Sequence, residues 1–260
     1  MITYKYYEIK AGMVPLFPKM IRGKYVLATG SVAAGEVRDY VWDVTTSAAV
    51  QVAITGPGGS PSDTSGQGER KTAVNAIDSH GVIVGQWAPA NAQSALAEQG
   101  FVRYPDGRTI FLGTYFPDGR ASRLVDINEN GIALGRLFDG QDVRAFTFDT
   151  AAETVTEVPL PPLPGHMNWP DWPTVTLINI NQQLDILGSY WTGGTRVEGF
   201  LLSGRVLTAL GDAQVVRVND QRRVLGNIFA GSAMYPAIYD AGATGAAWTP
   251  LSNLPSQYVV

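Results

Sequence analysis

Short apolar runs broken by polar turns recur along this chain, and one phrase occurs four times. Residues 124–135 read LVDINENGIALG: an apolar run, an Asn/Gly turn, and a second apolar run closing on glycine. Residues 74–85 (VNAIDSHGVIVG), 177–188 (LININQQLDILG) and 215–226 (VVRVNDQRRVLG) repeat it. Each copy predicts two short strands joined by a turn. Asp78, Asn128, Asn181 and Asn219 stand where a side-chain oxygen bonds its own backbone, and Gly81 and Gly131 can take positive φ.

Two more apolar runs follow each phrase. The third begins with a small residue and alternates bulky ones, as in Ala145-Phe146-Thr147-Phe148 and Gly199-Phe200-Leu201-Leu202. The fourth covers 109–112, 155–158, 206–210 and 247–251. A degenerate fifth copy precedes them, with 20–28 as its first two strands, then 39–42 and 50–54. The closing glycines Gly85, Gly135, Gly188 and Gly226 are 50, 53 and 38 residues apart. Four short strands per unit of that length predict the blades of a β-propeller. The expected fold is all-β: one five-bladed propeller over 1–260, its four-stranded antiparallel blades at about 10–54, 72–112, 122–158, 174–210 and 213–251. Residues 2–9 are expected to supply a closing strand.

Residues 109–149, TIFLGTYFPDGRASRLVDINENGIALGRLFDGQDVRAFTFD, carry the fullest copy of this order, and it resembles the HAF-type repeat. At lower fidelity the likeness covers nearly the whole chain. It implies a propeller fold and often an exported protein; it implies no reaction, because function does not follow from fold. The chain departs from the pattern at Leu184-Asp185 and Arg222, where a turn glycine is expected, and at Ala28, where a closing glycine is expected.

Composition narrows the function classes. A net charge of −4 gives no basic footprint, so no nucleic-acid partner is expected. With no cysteine there is neither a disulfide nor a thiolate nucleophile. The first residues, MITYKYYEIKAGMVPLF, lack the basic start and unbroken apolar run of a signal peptide, and no long apolar run predicts a membrane span. A soluble, cytoplasmic monomer without metal or cofactor is the expectation, with export the alternative. Residues 66–72, GQGERKT, miss the spacing of a phosphate-binding loop.

The connections are unequal, and the long ones bear the candidate chemistry. Residues 55–71 and 159–173 join fourth strands to first; 86–99 and 189–198 join second strands to third. In an up-and-down blade both classes leave from one face. The loop PLPPLPGHMNWPDWP holds His166, Trp169, Asp171 and Trp172, its prolines limiting its freedom. His80, the other histidine, lies in a first-to-second turn and reads as a surface residue. The residue after each closing position is polar: Thr29, Gln86, Arg136, Ser189 and Asn227. A second column, on the strands nearest the axis, reads Lys19, Ala76, Asp126, Asn179 and Arg217, with Arg123 close by.

These residues fit recognition of a small-molecule or carbohydrate-like ligand at the axial mouth. Trp87, Trp169, Trp172 and Trp191 would stack on it; Gln86, Arg123, Arg136 and Asn227 would make polar contacts. The first alternative is an enzyme, a glycan hydrolase or lyase or a cyclase-type catalyst, with His166, Asp171 and Asp126 as acid–base groups. The second is a protein-interaction platform on the same face.

Overall fold

In the computed structural model, the described residues are 10–11, 14–33, 36–57, 72–89, 98–116, 120–138, 143–163, 175–193, 196–230 and 233–251. They form twenty-one strands and no long helix; none of the described helices is long and apolar enough to cross a membrane. The protein is an all-β propeller of five antiparallel sheets, each a meander in chain order.

Sheet I comprises β1 (Lys10–Ala11), β2 (Val14–Arg22), β3 (Tyr25–Ala33), β4 (Glu36–Asp43) and β5 (Ala48–Gln51). Sheet II comprises β6 (Ala73–Ile77), β7 (Ile83–Trp87), β8 (Gln99–Arg103) and β9 (Thr109–Phe111), followed by a 3-10 turn at Leu112–Tyr115. Sheet III is β10 (Ala121–Ile127), β11 (Ile132–Phe138), β12 (Val143–Asp149) and β13 (Thr154–Val158). Sheet IV is β14 (Val175–Ile180), β15 (Ile186–Gly193), β16 (Arg196–Ser203) and β17 (Val206–Gly211). Sheet V is β18 (Ala213–Val218), β19 (Arg223–Ala230), β20 (Ala233–Asp240) and β21 (Trp248–Pro250). The chain divides into two compact units, 1–124 and 125–260. The expected closing strand, 2–9, lies outside the described residues.

Apolar side chains from consecutive sheets make the core. Within the first unit Leu27 of sheet I packs with Val74, Ile77, Ile83 and Phe101 of sheet II. Within the second, Leu134 and Ala145 of sheet III meet Ile180, Tyr190 and Phe200 of sheet IV. Leu187 and Leu201, on the other face of sheet IV, meet Val215, Val218 and Val224 of sheet V. The middle strand β7 is buried on both faces, which explains a run, Ile83–Trp87, in which every residue is buried. On the middle strand β19 of sheet V, by contrast, Leu225 and Phe229 stay 40% and 47% exposed.

The recurring phrase has a physical reason at both ends. At its turn, the backbone N–H of Asn128 donates to Ile132 O at 3.0 Å, and Gly131 N donates to Asn128 O at 3.1 Å. Asn128 Oδ1 accepts from the N–H groups of Asn130 and Ile132, 3.1 and 3.0 Å away. Asp78 and Asn219 repeat both bonds, and Asn181 Oδ1 accepts from Asp185 N as Asn128 Oδ1 does from Ile132 N. The turn requires a positive φ three residues on, and Gly131 supplies it at 74°. Leu184 and Arg222 occupy the same place at 64° and 58°, bearing the steric cost that glycine avoids. At the phrase's end, Gly135 pairs with Phe146 and Gly188 with Phe200, and the ring lies over the glycine so closely that a Cβ would overlap it.

Two expectations need correction. Residues 189–198, expected as a loop, continue the hairpin: Ser189 pairs with Gly199, Tyr190 with Glu198 and Trp191 with Val197. Lys19 does not share the register of Asp126 and Asn179. Four residues separate the paired Ile21 and Val26, whereas five separate Ile77 and Ile83. That shorter turn shifts the alignment by one, so Met20 matches Ala76 and Lys19 is the extra residue of a bulge.

Leu184→Gly should relieve the strained turn and stabilise the fold by about 0.5–1 kcal/mol, read as a higher midpoint in chemical denaturation. Gly135→Ala should lower stability by about 1–3 kcal/mol in the same measurement, because the Phe146 ring must leave its place.

Candidate functional site

In the first unit, three expected contact residues are engaged in packing and internal bonds. Trp87 is 5% exposed among Leu27, Ile54, Val74 and Phe101, edge-on to Phe111 at 5.6 Å between ring centroids. Gln86 is buried, its Oε1 accepting from Asn75 Nδ2 at 3.2 Å, and the same amide nitrogen donates to Leu124 O at 2.7 Å. Arg123 is buried against Glu98 in a two-pronged ion pair: Nε donates to Oε2, and Nη2 to Oε1 at 3.0 Å. Such a fork uses two of the guanidinium's five N–H donors in parallel, charge-assisted bonds. Glu98 holds the segment further, since its carbonyl accepts from Ser122 N at 3.1 Å. Nothing in the local pattern around Glu98 advertised it, because its partner is 25 residues away.

Asp126, in the second unit, is 2% exposed. Its Oδ2 accepts from Asn179 Nδ2 and from Ile180 N at 3.1 Å, joining sheet III to the innermost strand of sheet IV. Asn179 repeats the gesture one sheet later, its Oδ1 accepting from Val218 N at 2.8 Å. In the first unit Asp39 does likewise, accepting from Val74 N at 2.9 Å while Lys19 and Thr29 donate to its other oxygen at 3.0 and 3.1 Å. Thr29, polar like Gln86 after its closing position, is thus also spent on structure.

Arg136, Trp191 and Asn227 are placed differently. All three are partly exposed on second strands of the second unit. The Arg136 guanidinium lies over the Phe138 ring, 4.8 Å from its centroid. Asn227 Nδ2 donates to Gln214 Oε1 at 3.4 Å. Counting from each closing glycine, the first and third residues are Arg136 and Phe138, Ser189 and Trp191, Asn227 and Phe229. Residues two apart on a strand share a face. Every second-unit sheet therefore sets a polar side chain beside an aromatic one, and Phe229 is 47% exposed. The sequence reading found the polar column and Trp191 but missed Phe138 and Phe229, although their spacing from the glycine was legible.

His166, Trp169, Asp171 and Trp172 lie outside the described residues. His80 is a surface turn residue as expected, its side chain 70% exposed and Nδ1 3.7 Å from Asp78 Oδ2. Among the described residues no cluster of three or more His, Asp or Glu side chains could hold a metal ion. Tyr190 donates its hydroxyl to Glu198 Oε2 at 2.9 Å. Burial, and then this carboxylate, push its phenol up to about 12, so it stays protonated at neutral pH.

No family model matches the chain, and no curated protein matches it either. Solved structures do. TolB from Acinetobacter baumannii is similar at 9% identity and a TM-score of 0.51, over 84% of this chain and 49% of that one. A post-proline cleaving enzyme from Rickettsia typhi is similar at 11% identity and a TM-score of 0.51, over 94% of this chain and 39% of that one. The β-propeller domain of the Trilobed protease from Pyrococcus furiosus is matched over 93% of this chain and 86% of that one, at 13% identity and a TM-score of 0.46. The chain thus spans about half of the first structure's length and less of the second's. At such identities the likeness is one of fold alone.

Proposed function

We propose that this propeller recognises a carbohydrate-like small molecule through the polar–aromatic pairs on the second strands of residues 125–260. The observation that carries this reading is the Arg136 guanidinium seated over Phe138, both partly exposed, with the same spacing repeated by Ser189/Trp191 and Asn227/Phe229. Sugars offer an apolar ring face and a rim of hydroxyls, and an aromatic ring beside a hydrogen-bonding side chain complements both. The enzyme reading has less support among the described residues. Its carboxylate Asp126 is buried and holds Asn179 and the Ile180 amide, an occupation that acid–base work would disrupt. His166, Asp171, Trp169 and Trp172 remain candidates for further ligand contacts, on sequence grounds. The activities of TolB and of the post-proline cleaving enzyme are not carried over, since only the scaffold is shared.

A glycan array probed with the purified chain, followed by titration calorimetry on the best binder, tests the reading. Phe138→Ala, Trp191→Ala and Phe229→Ala should each weaken binding by about two- to tenfold, whereas Val206→Thr, on an exposed outer-strand position, should leave it unchanged. Full affinity in the triple aromatic variant would sink the proposal.

A further inference from the structure

Three residues hold equivalent places on innermost strands of the second unit: Asp126, Asn179 and Arg217. Asn179 pairs with Leu187 and Arg217 with Leu225, each just after a bulge that follows the residue opposite the closing glycine. Asp126 and Asn179 use this place alike, each accepting a backbone N–H from the next sheet's innermost strand. Arg217 cannot, because a guanidinium only donates. Its Nη2 is shut off from solvent without a hydrogen-bond acceptor, and Arg217 makes no ion pair among the described residues. Buried polar groups are nearly always partnered, so this exception calls for an acceptor from elsewhere.

The surroundings specify the acceptor's chemistry. Directly opposed residues of a strand pair share a face, so Arg217 stands beside Leu225, which is 40% exposed. Asn227, two residues beyond Leu225, lies on that same face, as does Gln214 opposite it. The face is turned away from sheet IV, because Val215, Val218 and Val224 fill the core on that side. A cation with an unmet donor next to an exposed apolar side chain and two amides matches a carboxylate attached to an apolar body.

We infer that Arg217 is the anchor of a carboxylate-binding subsite on the face of sheet V turned away from sheet IV. The planar fork of the guanidinium takes both carboxylate oxygens, and Leu225 covers the apolar part of the ligand. The subsite does not rest on the carbohydrate reading: its anchor Arg217 is no part of the polar–aromatic pairs, and although Asn227 is common to both, loss of the anchor would leave the Arg136/Phe138 and Ser189/Trp191 pairs untouched.

Benzoate is the probe, titrated into the full chain at constant ionic strength and followed by NMR, with inorganic phosphate as comparison. Saturable shifts that include the Arg217 Nε–H resonance are expected. Arg217→Gln, checked for folding by circular dichroism, should weaken binding at least tenfold, and Arg217→Lys several-fold, since an ammonium keeps the charge but lacks the fork. No saturable benzoate binding, equal affinity in Arg217→Gln, or binding of phosphate in preference to benzoate would each overturn the assignment. If neither variant folds, the wild-type Arg217 resonance decides: unmoved by saturating benzoate, it excludes the subsite.

Discussion

A strand at the inner edge of a blade has one row of backbone N–H and C=O groups with no neighbouring strand to pair with, and the design of this protein answers that constraint. Buried amides must find partners. Here polar side chains of the preceding sheet supply them. Asp39 takes the N–H of Val74, and Asn75 gives its amide to the carbonyl of Leu124. Asp126 takes the N–H of Ile180, and Asn179 that of Val218. Each bond also ties one sheet to the next, so satisfying the backbone and joining consecutive blades are the same act.

The turns add a second tie of the same kind. In the second unit Asn128 Nδ2 donates to Asn181 O at 2.9 Å, and Asn181 Nδ2 donates to Asn219 O at 3.0 Å. Each Asn closes its own turn with its oxygen and holds the following turn with its nitrogen. Aspartate at the equivalent place, as at Asp78, can do only the first, because a carboxylate has no donor. The choice between Asn and Asp at these turns therefore governs whether one sheet reaches the next there. Leu184 and Arg222 tolerate left-handed backbone in this frame because the Asn bonds on either side leave the turn no cheaper conformation.

These ties explain why candidate chemistry was harder to read than architecture. A charged or amide residue on an inner strand looks like a ligand contact when only the chain is in view. Asp126 and Arg123 show what such residues do here: one completes a neighbouring strand's hydrogen bonds, the other is locked to Glu98. Gln86 and Trp87 fail as exposed contacts for a related reason, since β7 is a middle strand buried on both faces. Arg136, Trp191 and Asn227 keep partial exposure because they stand toward the hairpin ends of longer strands, past the core.

The amino-acid sequence by itself determined the strands, the turns and the fivefold repetition, because these depend on local spacing: apolar alternation, an Asx residue before a turn, and a glycine that a phenylalanine ring must cover. Even its departures, such as Leu184 for a turn glycine, were absorbed without altering the element. Only the tertiary structure decided which polar residues were spent on tying sheets together and which stayed partly exposed. Hydrogen-bond partners 25 to 55 residues apart consumed Arg123, Asp126 and Lys19. No local pattern announces such partners, for they are chosen by which sheets stack, and a one-residue difference in a single turn was enough to move Lys19 out of register.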